Sequence, residues 1–247
     1  MRWRAFPVTL AAMAHPTDPA PPTAATPLSA ERVVTAALEL TARRGLFDWS
    51  VRDLARELAT PASLLYHHVG GKDLLHRLVV ERVLGEPSPP DAELGWEDWF
   101  RTLLGELRQR LTSHPGTAKW LLLHGPAFPA LVPTMDRGLR LLREAGFVDD
   151  SAFACSVLVN TALQTLAISD ERRSHEGDGP RDHAAMMREF RRVGQHSPAV
   201  AVFNDTVAQG LDTPDDARAE QVRRAYFDYL VDTTIAGLRA RLVAGDP

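Results

Sequence analysis

The chain has 247 residues, 45% of them hydrophobic and 24% charged, which supports one large or two small domains with real cores and excludes a wholly disordered chain. A formal charge of -4 excludes a general electrostatic pull toward nucleic acid or an anionic membrane, so any contact with DNA has to be local. Cys155 is the single cysteine and lies in an apolar run, which excludes a disulfide framework and a cysteine-based metal cluster and fits a reducing, cytoplasmic location.

At the N-terminus, Arg2 and Arg4 precede an apolar stretch that is short and broken by Pro7 and Thr9, a poor signal peptide. Residues 15–27 are dominated by Pro, Ala and Thr, with too few large apolar groups to offset the entropy of ordering, so 1–27 reads as a flexible arm. The longest apolar stretch, 152–168, is interrupted by Ser156, Asn160, Thr161, Gln164 and Thr165 and falls short of the ~20 residues of a spanning helix. It reads as a buried helix, with no membrane as partner.

Helical patterning begins at Leu28. Ser29 is an N-cap, Val34, Ala37, Leu38 and Thr41 share a face, and Gly45 is a stop. Ser50 and Asp53 form a carboxylate version of the capping box, so a second helix starts there and runs to about Leu58. Thr60 followed by Pro61 starts a third, from Pro61 to about His67. Two short helices separated by about three residues have the spacing of a helix-turn-helix, with an ordinary helical hairpin as the plain alternative.

Beyond Lys72 helices are expected over 73–84, 96–111, 118–123, 131–145, 151–170, 198–209 and 217–243, with no alternating strand pattern and no repeat. Residues 171–182 carry two glycines and a proline without apolar periodicity and read as a mobile loop. The expected fold is all-α: a flexible arm (1–27), a three-helix helix-turn-helix domain (28–75) and a larger helical domain for ligand binding and dimerisation (76–247).

The segment LARELATPASLLYHHVGGKDLL, residues 54–75, resembles the DNA-binding domain of TetR-family regulators. Leu54, Ala55, Leu65, Tyr66, His68, Val69 and Lys72 carry the likeness, and it continues weakly through Trp96, Ser113, His114, Ala118, Lys119 and Gly146. Two residues depart from the family's pattern: Ala59 stands where the turn usually has glycine, and Leu64 where a phosphate-contacting threonine is usual.

The resemblance implies a homodimer that binds a double-stranded DNA operator and answers to a small-molecule effector. Arg52, early in the second helix, is the candidate for bidentate contact with a guanine edge; a solvated arginine near Asp53 or Glu57 is the plainer reading. Ala62, Ser63, Leu64, His67 and His68 are taken as the outward face of the third helix, where Ala62 and Leu64 could meet a thymine methyl. Tyr66 and Lys72 are expected to reach phosphates and set register. Leu54, Leu58, Leu65 and Val69 are expected to point inward. Residues 28–75 contain six basic and six acidic side chains, a neutral balance for a domain that binds a polyanion.

In the larger domain the helices 151–170 and 217–243 are the pair that the family uses for a two-fold four-helix bundle. Trp99, Trp120, His124, Phe128, Met135, Asn160 and Gln164 are the candidate effector contacts, a mixture of aromatic walls and polar points, although each alone is more often core. Counting from Ala118 and Lys119 places Leu121 where the tetracycline-responsive branch has its metal-binding histidine, so neither tetracycline nor magnesium is expected. No cofactor and no metal are expected. His67 and His68 are adjacent and point about 100° apart on a helix, Cys155 has no base near it in sequence, and no phosphate loop is present, so catalysis is not expected. The function expected is ligand-relieved repression; the alternative is a helical dimeric regulator without an effector that acts through a protein partner.

Overall fold

Ser29 accepts a hydrogen bond from the Arg32 amide at 3.2 Å and starts α1 (Ala30–Arg44), which ends at Gly45 with φ 96°. The structure, a computed structural model, describes residues 28–85, 89–208 and 216–243. The arm expected over 1–27 and the end of the helix expected to reach residue 209 lie outside these. Helix α2 (Val51–Glu57) carries the expected capping box, with Asp53 N–H donating to Ser50 Oγ at 3.2 Å and Ser50 N–H to the Asp53 carboxylate at 2.9 Å.

Helix α3 (Ala62–Val69) starts one residue later than expected and ends two later. Pro61 has ψ 138°, so it is the extended residue before the helix and not its first residue, and no side chain caps the start. Leu40, Leu46, Leu54 and Leu65 are fully buried between the three helices, Val69 is buried, and Leu58 is half-buried against them. Trp49 closes this core, donating its indole N–H to Thr41 Oγ1 at 3.1 Å while Thr41 donates to the Ala37 carbonyl at 2.8 Å.

Ala59, between α2 and α3, has φ 48°, the left-handed region that glycine tolerates and alanine resists. Ala59→Gly is expected to stabilise the protein by about 0.5–1 kcal/mol, because roughly 1–2 kcal/mol of strain is relieved and about 0.4–1 kcal/mol of chain entropy offsets it. Thermal unfolding checks this, and a lowered midpoint would count against strain at the turn.

Helix α4 (Lys72–Leu84) contains the expected domain boundary within its first turn, and it packs on α1 on one side and on α5 (Trp96–Thr112) on the other. Then come α6 (Thr117–His124), a 3-10 turn (Pro129–Leu131) that runs into α7 (Val132–Glu144), and α8 (Ser151–Ser174). Helix α8 is the centre of the larger domain and packs against α5, α6, α7 and the final helix, α11 (Asp216–Val243). Among the described residues there is no strand, and the all-α expectation holds.

The loop expected over 171–182 is shorter in fact. Helix α8 continues to Ser174, a 3-10 turn covers Gly179–Arg181, and Asp182 caps a helix the sequence reading left out, α9 (His183–Gly194), by accepting from Ala185 N–H at 3.0 Å. The cap at Asp182 and the spacing of Met186, Phe190 and Val193 are the signals for it. Helix α10 (Pro198–Phe203) follows and continues as a π turn (Asn204–Ala208).

Two contacts fix the small domain to the large one: Leu46 N–H donates to the Pro115 carbonyl at 2.8 Å, and Arg82 of α4 grips the Glu31 carboxylate of α1 at 2.8 and 2.7 Å. Within the large domain, Asp170 of α8 steadies the first of these by accepting from Gly116 N–H, next to Pro115, at 2.9 Å.

Candidate functional site

Helix α3 turns Leu65 and Val69 into the core, which at 100° per residue points Ser63 and His67 straight outward and puts Leu64 and Tyr66 on the two flanks. All four are exposed, Leu64 by 40% and Tyr66 by 47%. Ala62 and His68 sit at the edge of this face: both are half-buried, Ala62 packs against the core, and the His68 ring lies 5.8 Å from that of His67. Lys72 extends its ammonium over the Trp49 ring at 5.7 Å.

Arg52 stands exposed at the second position of α2. The cations around it are engaged: Arg43 with Glu57, and Arg44 and Arg56 with Asp53 at 3.8 and 3.1 Å. The Asp53 carboxylate, held by Ser50 above all and by Arg56, titrates at about 2 and stays ionised. Arg52 has no ion pair or hydrogen bond among the described residues, so the acids nearest in sequence leave it available.

Behind this face, two consecutive residues of α4 touch two different structures. The His76 ring is buried edge-on between Phe47 (5.6 Å) and Trp49 (5.2 Å) of the small domain. Burial pulls its pKa down to about 4, so it is neutral at pH 7. Arg77 points the other way, donating to the Ala127 carbonyl at 3.1 Å with its guanidinium 5.6 Å from the Phe128 ring centre. Neither residue was singled out from the sequence. A histidine in register with Val79, Val80 and Val83 on an apolar face was the available signal.

Phe128 belongs to a cluster that unites three of the sequence-predicted effector residues. Trp120 stacks on His124 at 4.5 Å and meets Phe128 at 5.8 Å. Trp99 is fully buried on α5, crossing Phe100 at 5.0 Å and packing on α7 at Gly138, while Met135 is 42% exposed on α7.

Asn160 and Gln164 are exposed and share the outward side of α8 with Phe153, Val157 and Ile168, opposite the side that packs on α6. The helix expected to be buried is therefore buried along one face only: Phe153 is 73% exposed, Val157 47% and Ile168 51%. A groove of about 490 Å³ lined by Phe147, Phe153, Val157, Leu238 and Arg241 runs between α8 and α11.

A helix-turn-helix joined through one helix to an aromatic core is the layout of a transcriptional regulator. Residues 88–219 match the family described as "Tetracyclin repressor-like, C-terminal domain", over half of the chain, and the protein belongs to this TetR family. The transcriptional repressor DrrR1 of Streptomyces coeruleorubidus is 29% identical over 200 residues, which span 75% of this chain and 72% of that one. The Streptomyces coelicolor protein ActR, solved with actinorhodin, superposes with a TM-score of 0.65 at 27% identity, over 87% of this chain and 97% of that one. BioQ, solved with its double-stranded DNA operator, gives a TM-score of 0.53 at 26% identity, over 62% of this chain and 93% of that one.

Proposed function

We propose that the protein is a cytoplasmic homodimeric repressor that binds a palindromic operator and is released from it by a small-molecule effector. Residues 28–75 act as the DNA-binding unit. In it Arg52 reads a base edge, Ser63, Leu64 and His67 face the groove floor with Ala62 and His68 at its margin, and Tyr66 and Lys72 hold phosphates. Trp99, Trp120, His124, Phe128 and Met135 serve the effector site of one protomer. Asn160 and Gln164, on the outward stripe of α8, act where the two protomers meet.

The observation that carries this reading is the pair His76 and Arg77. A change around Phe128 pulls on Arg77, and the same helix turn holds His76 against Trp49 and Phe47 behind the DNA-binding helices. An effector that favours one setting of α4 changes operator affinity by its differential binding, typically about 1–3 kcal/mol. The complex of ActR with actinorhodin supports a small molecule of actinorhodin's kind as the effector.

A second reading, a dimeric regulator without an effector that answers to a protein partner, is favoured by the closed stack of Trp120 on His124, which already fills the space between those rings. Fluorescence anisotropy of the upstream intergenic DNA, with and without actinorhodin, separates the two. Salt-sensitive binding that actinorhodin weakens about fivefold or more supports release by effector. Binding by the protein of both DNA and actinorhodin, with no effect of one on the other, favours the partner reading.

A further inference from the structure

Two of the buried side-chain polar atoms that have no hydrogen-bond partner lie in one helix interface. They are Trp99 Nε1 on α5 and Thr134 Oγ1 on α7. Trp99 is 0% exposed and Thr134 5%. The two helices touch at Gly138, where a Cβ would come within 3.0 Å of the Trp99 ring and 3.1 Å of Phe100. Thr134 is one turn before Gly138 on the same buried side of α7. His76 Nε2 is also without a partner, but it belongs to the packing of α4 on Phe47 and Trp49.

An interior that keeps an N–H and a hydroxyl unbonded on two helices that touch pays a desolvation penalty with no return in the free protein, and such groups are rare in folded chains. An indole N–H only donates, whereas a threonine hydroxyl donates or accepts. The occupant that satisfies both is an oxygen acceptor on an otherwise apolar molecule, because Phe100, Leu104, Leu141 and Leu142 are the buried neighbours along the two helices. We propose that Trp99 and Thr134 are the hydrogen-bonding residues of the effector site, and that they take a carbonyl or phenolic oxygen on the edge of an aromatic ligand. This assignment rests on the effector reading above and adds Thr134 and the chemistry of the contact.

The test uses the full chain and 1,8-dihydroxyanthraquinone as the probe, followed by quenching of tryptophan fluorescence and by thermal unfolding. Thr134→Val swaps the hydroxyl for a methyl of nearly the same shape. It is expected to weaken probe binding about tenfold or more while raising the unfolding midpoint of the free protein by about 2–4 °C, and Thr134→Ser is expected to keep binding within about threefold of wild type. Unchanged binding by Thr134→Val, or a lowered midpoint in the free protein, overturns the assignment, since either result means that the hydroxyl already has a partner or never meets the ligand. A wild-type protein that shows no saturable binding of the probe overturns the effector reading on which the assignment depends.

Discussion

Phe153→Asp is expected to turn the protein into a monomer at micromolar concentration and to reduce its operator affinity to the non-specific level, a Kd on the order of 10⁻⁴ to 10⁻⁶ M at physiological salt. Phe153 is 73% exposed in the single chain and continues into Val157 and Ile168 along the same side of α8, beside the groove shared with α11. An exposed stripe of that length calls for a matching one, and the two-fold operator complex proposed above needs the same patch to meet its own copy. A carboxylate placed at the N-terminal end of this stripe would lose its water on pairing of the two copies, which costs several kcal/mol. Sedimentation velocity with operator titration checks the result. A variant that remains dimeric would sink α8 as the interface, and a monomer that still binds the palindrome tightly would sink the need for a dimer.

Arg52→Ala is expected to cost about 1–3 kcal/mol for each half-site and to relax the preference at one base pair, while random duplex is bound nearly as before. Arg56→Ala is the control, because Arg56 is on the same helix but already committed to Asp53 at 3.1 Å. The two differ in what the fold leaves them to do: Arg52 has no ion pair or hydrogen bond among the described residues, and Arg56 helps to hold the helix start. Equal losses for the two variants on specific and random DNA would assign Arg52 to the phosphate backbone or to general charge.

The small domain was the legible part of the sequence, because its information is local. Ser29, Gly45, Ser50 and Asp53 announce helix ends through bonds made within three or four residues, and the structure contains each of them. Pro61 shows the limit of that logic: proline suits both the residue before a helix and the first one inside it, and ψ, which the sequence does not state, decides. Ala59 was visible as a departure from the family pattern, and the structure gives it a physical meaning as left-handed strain.

The larger domain was legible as helices but less so as a site. Trp120, His124 and Phe128 fall within two turns of chain and were found together, since nearness in sequence becomes nearness in space. Asn160 and Gln164 were grouped with them on polarity alone, and only the direction in which α8 faces its neighbours places them on the opposite stripe. Thr134 and Arg77 were missed because their significance lies in what surrounds them: an unbonded hydroxyl in one case, and a carbonyl 50 residues away in the other.

In the operator complex proposed above, the firm seating of the small domain would reach as far as the DNA between the half-sites. Leu46 on Pro115, Arg82 on Glu31 and the shared helix α4 leave α3 no hinge of its own, so its position is set by the body that carries it. One base pair added to the spacer of a palindrome turns a half-site by about 34° around the duplex axis and shifts it by about 3.4 Å, given a helical turn of 10–10.5 base pairs. A reading head that cannot swivel does not follow that rotation. For the operator complex proposed above, spacer length is therefore expected to be part of the recognised sequence, read by the stiffness of the protein at positions that no side chain touches.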